Sequence, residues 1–423
     1  MRKIAIISEH ASPLASAGGV DSGGQNIYVA QVASHLARLG FAVDVFTRRD
    51  AENLPPLVQL EPRVRVVHVA AGPAQFVRKE ELLPLMDEFY QRVREFALDE
   101  GGYHLAHANF FMSALVASRL KRELGTPFVV TFHALGRVRR LHQSEADEFP
   151  GARMQIEDQA IAEADAVIAE CPQDAEDLGT LYHAAPGKLR VIPCGFDKAE
   201  FWPIARPFAR RALGFHPRER ILLNIGRLVP RKGVDNTIRA LGRLAREHRI
   251  EAKLVVVGGN SDLPCPRLTP EIGRLRGIAE AEGVAGQVVF TGRRSREFLK
   301  LYYNAADIFV TTPWYEPFGI TPLEAMACGT PVVGAAVGGI KYSVADGFTG
   351  SLVPPNDPDA LASSLAQLYR DPDQRKEYGR NSIDRVHEHF TWGKVTASIA
   401  ALYQDVMAGS VSPRPDARVA VAA

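Results

Sequence analysis

Glu316-Pro317-Phe318-Gly319-Ile320-Thr321-Pro322-Leu323-Glu324, continued by Ala325-Met326-Ala327-Cys328-Gly329-Thr330-Pro331-Val332-Val333, reads as a loop carrying one carboxylate, a helix start carrying a second, and then a buried strand. The first turn of a helix has unpaired backbone N–H groups and suits an anion, and carboxylates beside it can grip sugar hydroxyls. Phosphate and sugar held side by side suggest a nucleotide-sugar. The order loop, helix, buried strand is also what a parallel α/β sheet is built from.

Outward from this stretch the same alternation recurs. In the first half, Ile4–Ser8, Val43–Thr47, Val64–Val69, Leu105–Asn109, Phe128–Phe132, Ala166–Ala169 and Leu189–Pro193 read as buried strands. Between them lie helical patterns such as Gln25–Leu39, with Gly40 suited to end that helix. The pattern restarts with candidate strands Ile221–Ile225, Lys253–Val257, Val288–Thr291, Ile308–Thr312, Pro331–Gly334 and Ser351–Val353. Candidate helices Asp235–Glu247, Ile272–Glu282, Arg296–Asn304 and Pro322–Cys328 lie between them. Strands alternating with helices imply parallel sheets covered on both faces, and two such domains put a ligand crevice at the strand C-termini. Phe201–Pro207 reads as the linker. A last helix spans roughly Lys394–Met407, and the Ala-, Pro- and Arg-rich segment 409–423 reads as a disordered tail.

Composition bounds the function. A length of 423 residues predicts two domains, and 46% apolar with 23% charged residues is ordinary for a soluble globular chain. A net charge of +1 gives no case for nucleic acid or an anionic membrane. Cys171, Cys194, Cys265 and Cys328 lack metal-type spacing, which argues against a disulfide framework or zinc site and fits a reducing compartment. The apolar run after Arg2 and Lys3 is broken by Glu9 and His10, too short for a signal peptide or a bilayer span. The expected location is cytoplasmic, with no integral membrane segment.

Two further stretches carry chemistry. Gly226-Arg227-Leu228-Val229-Pro230-Arg231-Lys232-Gly233 follows a strand, so Arg227 and Lys232 can neutralise a leaving nucleotide diphosphate without a metal. Ala17-Gly18-Gly19-Val20-Asp21-Ser22-Gly23-Gly24-Gln25 is a Gly-rich loop opening a helix, an anion cradle whose spacing is neither the dinucleotide fingerprint nor a P-loop. Gly258-Gly259-Asn260 is a weaker strand-end signal near the expected base. His133 lies at a strand end, where active sites form.

Together these stretches resemble the retaining GT-B glycosyltransferases of family 4, the group 1 class. Glu316 and Glu324 match its E-x7-E signature, and Arg227 and Lys232 its Arg-x4-Lys pair. The Gly23-Gly24-Gln25 loop looks like that of the sucrose synthase, sucrose-phosphate synthase and mycothiol glycosyltransferase branch. The resemblance implies two doubly wound Rossmann-like domains facing a central crevice. It places an acceptor-side domain at 1–203, joined by a C-terminal helix at 388–408 that crosses back, and a nucleotide-sugar domain at 204–387. It implies catalytic roles for His133, Arg227, Lys232 and Glu316. Donor binding falls to Gly23, Gly24, the backbone N–H groups of Phe318, Gly319, Ile320, Thr321 and Leu323, and the Glu324 carboxylate on the ribose. Lys79, Asn109 and Arg153 are acceptor candidates.

The implied reaction is retaining transfer of a hexosyl group from a nucleotide-diphospho-sugar, UDP-glucose favoured, to a hydroxyl of a small sugar or polyol, phosphorylated or not. No cofactor and no essential metal are expected, and the partners are small molecules. Asp357-Pro358-Asp359 and Asp371-Pro372-Asp373 mimic a metal-binding pattern but sit where helices start, so capping is the better account. Alternatives stay open at several residues. Arg153 is equally a helix residue paired to Glu157; Asn109 and Lys79 are weaker acceptor candidates, and for Lys79 a solvated charged face with Arg78, Glu80 and Glu81 is the safer reading. Ala134 departs from the mycothiol branch, where a hydroxyl helps hold an acceptor phosphate. Glycan or glycolipid synthesis, sugar-nucleotide epimerisation and a non-catalytic binding module are the other readings.

Overall fold

The structure is a computed structural model that describes residues 1–15, 23–144 and 147–410. Gly18 and Gly19 of the Gly-rich loop, and the expected tail beyond Ser410, lie outside the described residues. The chain divides into two compact units. One comprises Met1–Leu14, Gln25–Pro193 and the chain from Val395; the other comprises Cys194–Lys394, with Ala15, Gly23 and Gly24 grouped alongside it.

The first unit carries an eight-stranded sheet. Its strands are β1 (Lys3–Ile7), β2 (Ala42–Arg48), β3 (Leu57–Glu61), β4 (Val64–Val69), β5 (Leu105–Asn109), β6 (Phe128–Thr131), β7 (Ala166–Ala169) and β8 (Leu189–Val191). They run in the order β3-β4-β2-β1-β5-β6-β7-β8, and every neighbouring pair is parallel except the antiparallel β3 and β4. The central strands are near-continuous apolar runs because helices cover both faces. Ile4, Ile6, Ile7, Val45, Phe46, Val129 and Val130 are wholly buried. β3 is the strand that periodicity missed. It is a half-exposed edge reached through the tight turn at Pro62-Arg63, with Arg63 at φ 70°, so it has no buried run to announce it.

The second unit has six parallel strands, β9 (Ile221–Ile225), β10 (Lys253–Val257), β11 (Val288–Gly292), β12 (Ile308–Thr311), β13 (Val332–Ala335) and β14 (Gly350–Val353), ordered β11-β10-β9-β12-β13-β14. In both sheets the strand order reverses beside the first strand, between β1 and β5 and between β9 and β12. The C-terminal ends of those strands are where an open α/β sheet leaves a ligand crevice.

The segment Phe201–Pro207, read as a linker, is fixed within the second unit. Phe201 is buried against Tyr303, ring centroids 5.7 Å apart, and the Ile204 N–H donates to Asn304 Oδ1 at 2.6 Å. Its Pro-rich spelling hid an aromatic anchor. The last helix, Trp392–Met407, reaches the first sheet through Tyr403, whose hydroxyl lies 2.6 Å from His107 Nδ1. Asp357 and Asp371 accept the amides of Asp359 and Ala360, and of Asp373 and Gln374, at 2.9–3.2 Å, so both Asp-Pro-Asp stretches are helix caps. Among the described residues no helix is long and apolar enough to cross a membrane.

Candidate active site

In the first unit, the ends of β1, β5, β6 and β7 converge on His133. Its Nδ1 lies 3.0 Å from Glu170 Oε1, and its Nε2 lies 3.0 Å from Asn109 Oδ1. Asn109 is oriented by its own amide, which donates to the carbonyls of His107 (3.2 Å) and Ile7 (3.4 Å). Tyr28 packs edge-on against the imidazole at 4.8 Å. His133 has φ 58° and the following strand-end residue of β5, Phe110, has φ 92°. A non-glycine residue held at positive φ is strained, and such strain gathers at functional sites. Gln25 joins this edge by donating to Ser8 Oγ and the Asn109 carbonyl at 3.2 and 3.1 Å. Glu9 and His10, just past β1, add a buried carboxylate–imidazole contact at 2.7 Å, with Ser113 donating to the same carboxylate.

Arg153 is not on that edge. It is wholly buried, its guanidinium 4.6–5.0 Å from the rings of Phe110, Phe111 and Phe149. Its Nε donates to Glu157 Oε1 at 2.7 Å, and another N–H donates to the Ala134 carbonyl. Glu157 in turn accepts from Gly136 N–H and the Tyr182 hydroxyl. Of the two readings of Arg153, the i, i+4 pair with Glu157 is the one the structure forms. Lys79 occupies a single 3-10 turn, Lys79–Glu81, with its ammonium 3.7 Å from Glu80.

In the second unit, the loop after β9 and the loop after β12 are stitched together. Trp314 N–H donates to the Arg231 carbonyl at 2.9 Å, and Thr312 Oγ1 to the Gly233 carbonyl at 2.7 Å. This seam brings Lys232 into a direct ion pair with Glu316, and the Arg231 guanidinium to 4.0 Å from the same carboxylate. Burial opposes the Glu316 carboxylate, but Lys232 and Arg231 outweigh it and hold its pKa below the usual value. Burial also pushes the Lys232 ammonium below its ordinary pKa; Glu316 counters this, while Arg231 and Arg227 add to it.

Gly319, at φ 89°, ends the loop and starts the helix Ile320–Ala327. Ile320 and Thr321 form its first turn, where amides have no intrahelical acceptor, and Pro322 contributes no N–H. Gly338 backs the loop from behind. At φ 42° it lies so close that a Cβ there would overlap the Glu316 carbonyl oxygen. A Cβ on Gly23 would lie 3.9 Å from Arg227 Nε, and one on Gly24 3.5 Å from Ile320 Cδ1. Gly258 is explained by backbone packing, since a Cβ there would overlap the Gly226 carbonyl. Glu324 is 1% exposed, receives the Tyr303 hydroxyl on Oε2 at 2.8 Å and has Arg296 Nη1 2.8 Å from Oε1. Among the described residues no group of three or more His, Cys, Asp or Glu is arranged to hold a metal ion.

The profile described as Glycosyltransferase Family 4 matches residues 22–200, and that described as Glycosyl transferases group 1 matches residues 205–385. The D-inositol 3-phosphate glycosyltransferase of Actinosynnema mirum is 38% identical over 95% of this chain and 97% of its own length. The chain belongs to the family 4, group 1 glycosyltransferases. The D-inositol 3-phosphate glycosyltransferase of Thermobispora bispora is 35% identical over 96% of this chain and 95% of its own length. Among solved structures, the sucrose-phosphate synthase of Thermosynechococcus elongatus superposes with a TM-score of 0.89 at 34% identity, covering 97% of this chain and all of that one. Anabaena HepE, solved with UDP-glucose, shares the fold at a TM-score of 0.73 and 20% identity, covering 96% of this chain and all of its own. The two α/β sheets, parallel but for the β3 edge, are those of the GT-B fold.

For this glycosyltransferase the structure adds residues that motif reading passed over. Arg231 joins the pair around Glu316, Glu170 fixes His133, and Arg296 with Tyr303 fixes Glu324. Glu170 had a legible signal, a carboxylate directly after a buried strand. Arg296 and Tyr303 had none, because they meet Glu324 only through tertiary packing.

Proposed function

We propose that this glycosyltransferase moves a hexosyl group, with retention of configuration, from a nucleotide-diphospho-sugar to a hydroxyl of a small polyol or sugar. The observation that carries the reading is the cation cluster about Glu316. Lys232 is paired to that carboxylate, and Arg231 stands beside it. Arg227 leads the same loop, and a helix start follows Gly319. Fixed cations and helix amides suit the charge that builds on a leaving diphosphate, and they act without a metal. In this reading Glu316 and the amides about Gly319 hold the sugar hydroxyls. Glu324 takes the ribose, Gly23 and Gly24 approach the diphosphate, and the leaving phosphate oxygen accepts the acceptor's proton. No cofactor takes part. UDP-glucose is the favoured donor.

The relatives named as D-inositol 3-phosphate glycosyltransferases and the sucrose-phosphate synthase support an acceptor that is a phosphorylated polyol or sugar. Burial of Arg153 under three phenylalanine rings favours a second form of the reading, in which that arginine does not grip the acceptor and an unphosphorylated polyol is accepted. UDP-, ADP- and GDP-glucose, each with an inositol phosphate, fructose 6-phosphate, free inositol or no acceptor, distinguish the two when diphosphate release is followed in EDTA. Acceptor-dependent release with one donor supports the proposal. Donor turnover that ignores every acceptor, or needs added metal, contradicts it.

A further inference from the structure

Within the donor reading of the second unit, on which this rests, we infer that Arg231 is a positioning residue that takes over Glu316 when Lys232 turns to the diphosphate of a bound nucleotide.

One ammonium is claimed twice in that reading. Lys232 is joined to Glu316 Oε2 in a direct ion pair, and the same ammonium neutralises the leaving phosphate. A buried carboxylate stripped of its counter-ion is costly, and it lowers that cost by taking up a proton. A protonated Glu316 offers fewer acceptor positions to sugar hydroxyls. A second cation within reach of the same oxygen removes the conflict.

Arg231 meets that need. It shares the single 3-10 turn Pro230–Lys232 with Lys232, so the two cations are neighbours. Its Nη1 stands 4.0 Å from Glu316 Oε2, close enough to attract the carboxylate but too far for a hydrogen bond. That nitrogen is buried and, among the described residues, has no hydrogen-bond partner. Arg231 is held from two sides: its carbonyl accepts the Trp314 N–H at 2.9 Å, and its guanidinium lies 5.2 Å over the Tyr315 ring. Once the ammonium leaves Oε2, closing to roughly 2.8 Å turns the approach into a charge-assisted hydrogen bond. Arg227 is the other charged group that acts on Glu316, and in the donor reading it too is committed to the diphosphate. The helix Gly338–Ser343, packed behind the loop, meets Glu316 through the backbone, with Gly339 N–H donating to the Glu316 carbonyl at 3.2 Å.

The test is calorimetric binding of UDP, ADP and GDP, across pH, to wild type, Arg231→Met, Glu316→Gln and the double variant. For the diphosphate that the wild type binds, Arg231→Met is expected to lower affinity by about tenfold or more, the effect of a buried charge left without its partner. In the Glu316→Gln background no carboxylate needs a counter-ion, and the same change is expected to cost far less. Binding to Arg231→Met should also take up more protons than binding to wild type, because Glu316 is protonated as Lys232 leaves it. Its affinity deficit should therefore grow as pH rises. Arg231→Lys, which keeps the charge, should recover part of the loss. An arginine that only braces the loop against Tyr315 would cost the same in both backgrounds and leave proton uptake unchanged, and that result would overturn the inference. Arg231→Gln removes the same charge if Arg231→Met does not fold. Should no nucleoside diphosphate bind the wild type, the donor reading itself falls.

Discussion

Lys232 and Glu316 form an ion pair whose two members are both shifted downward. The free enzyme should therefore lose the Lys232 charge at a lower pH than an ordinary lysine, whose pKa is about 10.4. Since kcat/KM reports the free enzyme, its alkaline limb for the donor is expected to begin below that value. Lys232→Arg should move the limb upward, and an unchanged limb would remove Lys232 from the donor's phosphates. Arg153 makes a contrasting case. Replacing it with Met leaves Glu157 charged and unpaired in the interior, a change that costs about 3–5 kcal/mol. Thermal unfolding should show that loss in Arg153→Met, with KM for the acceptor little changed in whatever protein stays folded. A normal melting curve with a raised acceptor KM would return Arg153 to the acceptor. Sequence spacing allowed both outcomes for Arg153, because a helical i, i+4 pair does not say whether the face carrying it is open or sealed. Of the three phenylalanines that seal it, Phe149 lies just ahead of the helix, but Phe110 and Phe111 are remote in the chain.

The elements were legible wherever burial was two-sided. β4, β5, β7, β9 and β10 fall on the residues that their apolar runs marked out. The half-exposed edge strand β3 was not legible, and the short helix after Gly319 starts at Ile320 rather than Pro322. The Glu316–Glu324 loop was legible as a motif but not in its support. Gly338 lies behind Glu316 at φ 42°, and nothing local in the sequence links the two positions. Gly338→Ala must place a side chain at positive φ, about 1–2 kcal/mol of strain, and displace the Glu316 backbone as well. Donor affinity is expected to fall tenfold or more with the melting temperature only modestly lowered. Unchanged donor binding would mean that the loop does not hold the sugar.

Across the whole molecule, the division into two α/β units and the return of the last helix to the first sheet were both implied by the family resemblance. What fixes that return was not: Tyr403 meets His107 inside the core, a contact between residues nearly three hundred positions apart. Burial, and then the neighbouring His133, lower the His107 pKa to about 3. The unfolded chain takes up that proton near 6.5, so protons favour unfolding between these values. Stability is expected to decline as pH falls from about 6.5 towards about 3, and His107→Gln should flatten part of that slope. An unaltered pH–stability profile in the variant would exclude His107 as a source. Tyr403→Phe removes one buried hydrogen bond, and equilibrium unfolding should register about 1–3 kcal/mol.

The central claim is that the cations of the second unit carry the charge of a departing nucleoside diphosphate. Turnover at saturating donor and acceptor, compared between wild type and the Arg227→Ala and Lys232→Ala variants, tests it most directly. Loss of a preorganised charge partner predicts a fall of about a hundredfold or more in kcat for each variant. Near-normal turnover in either variant would contradict the account.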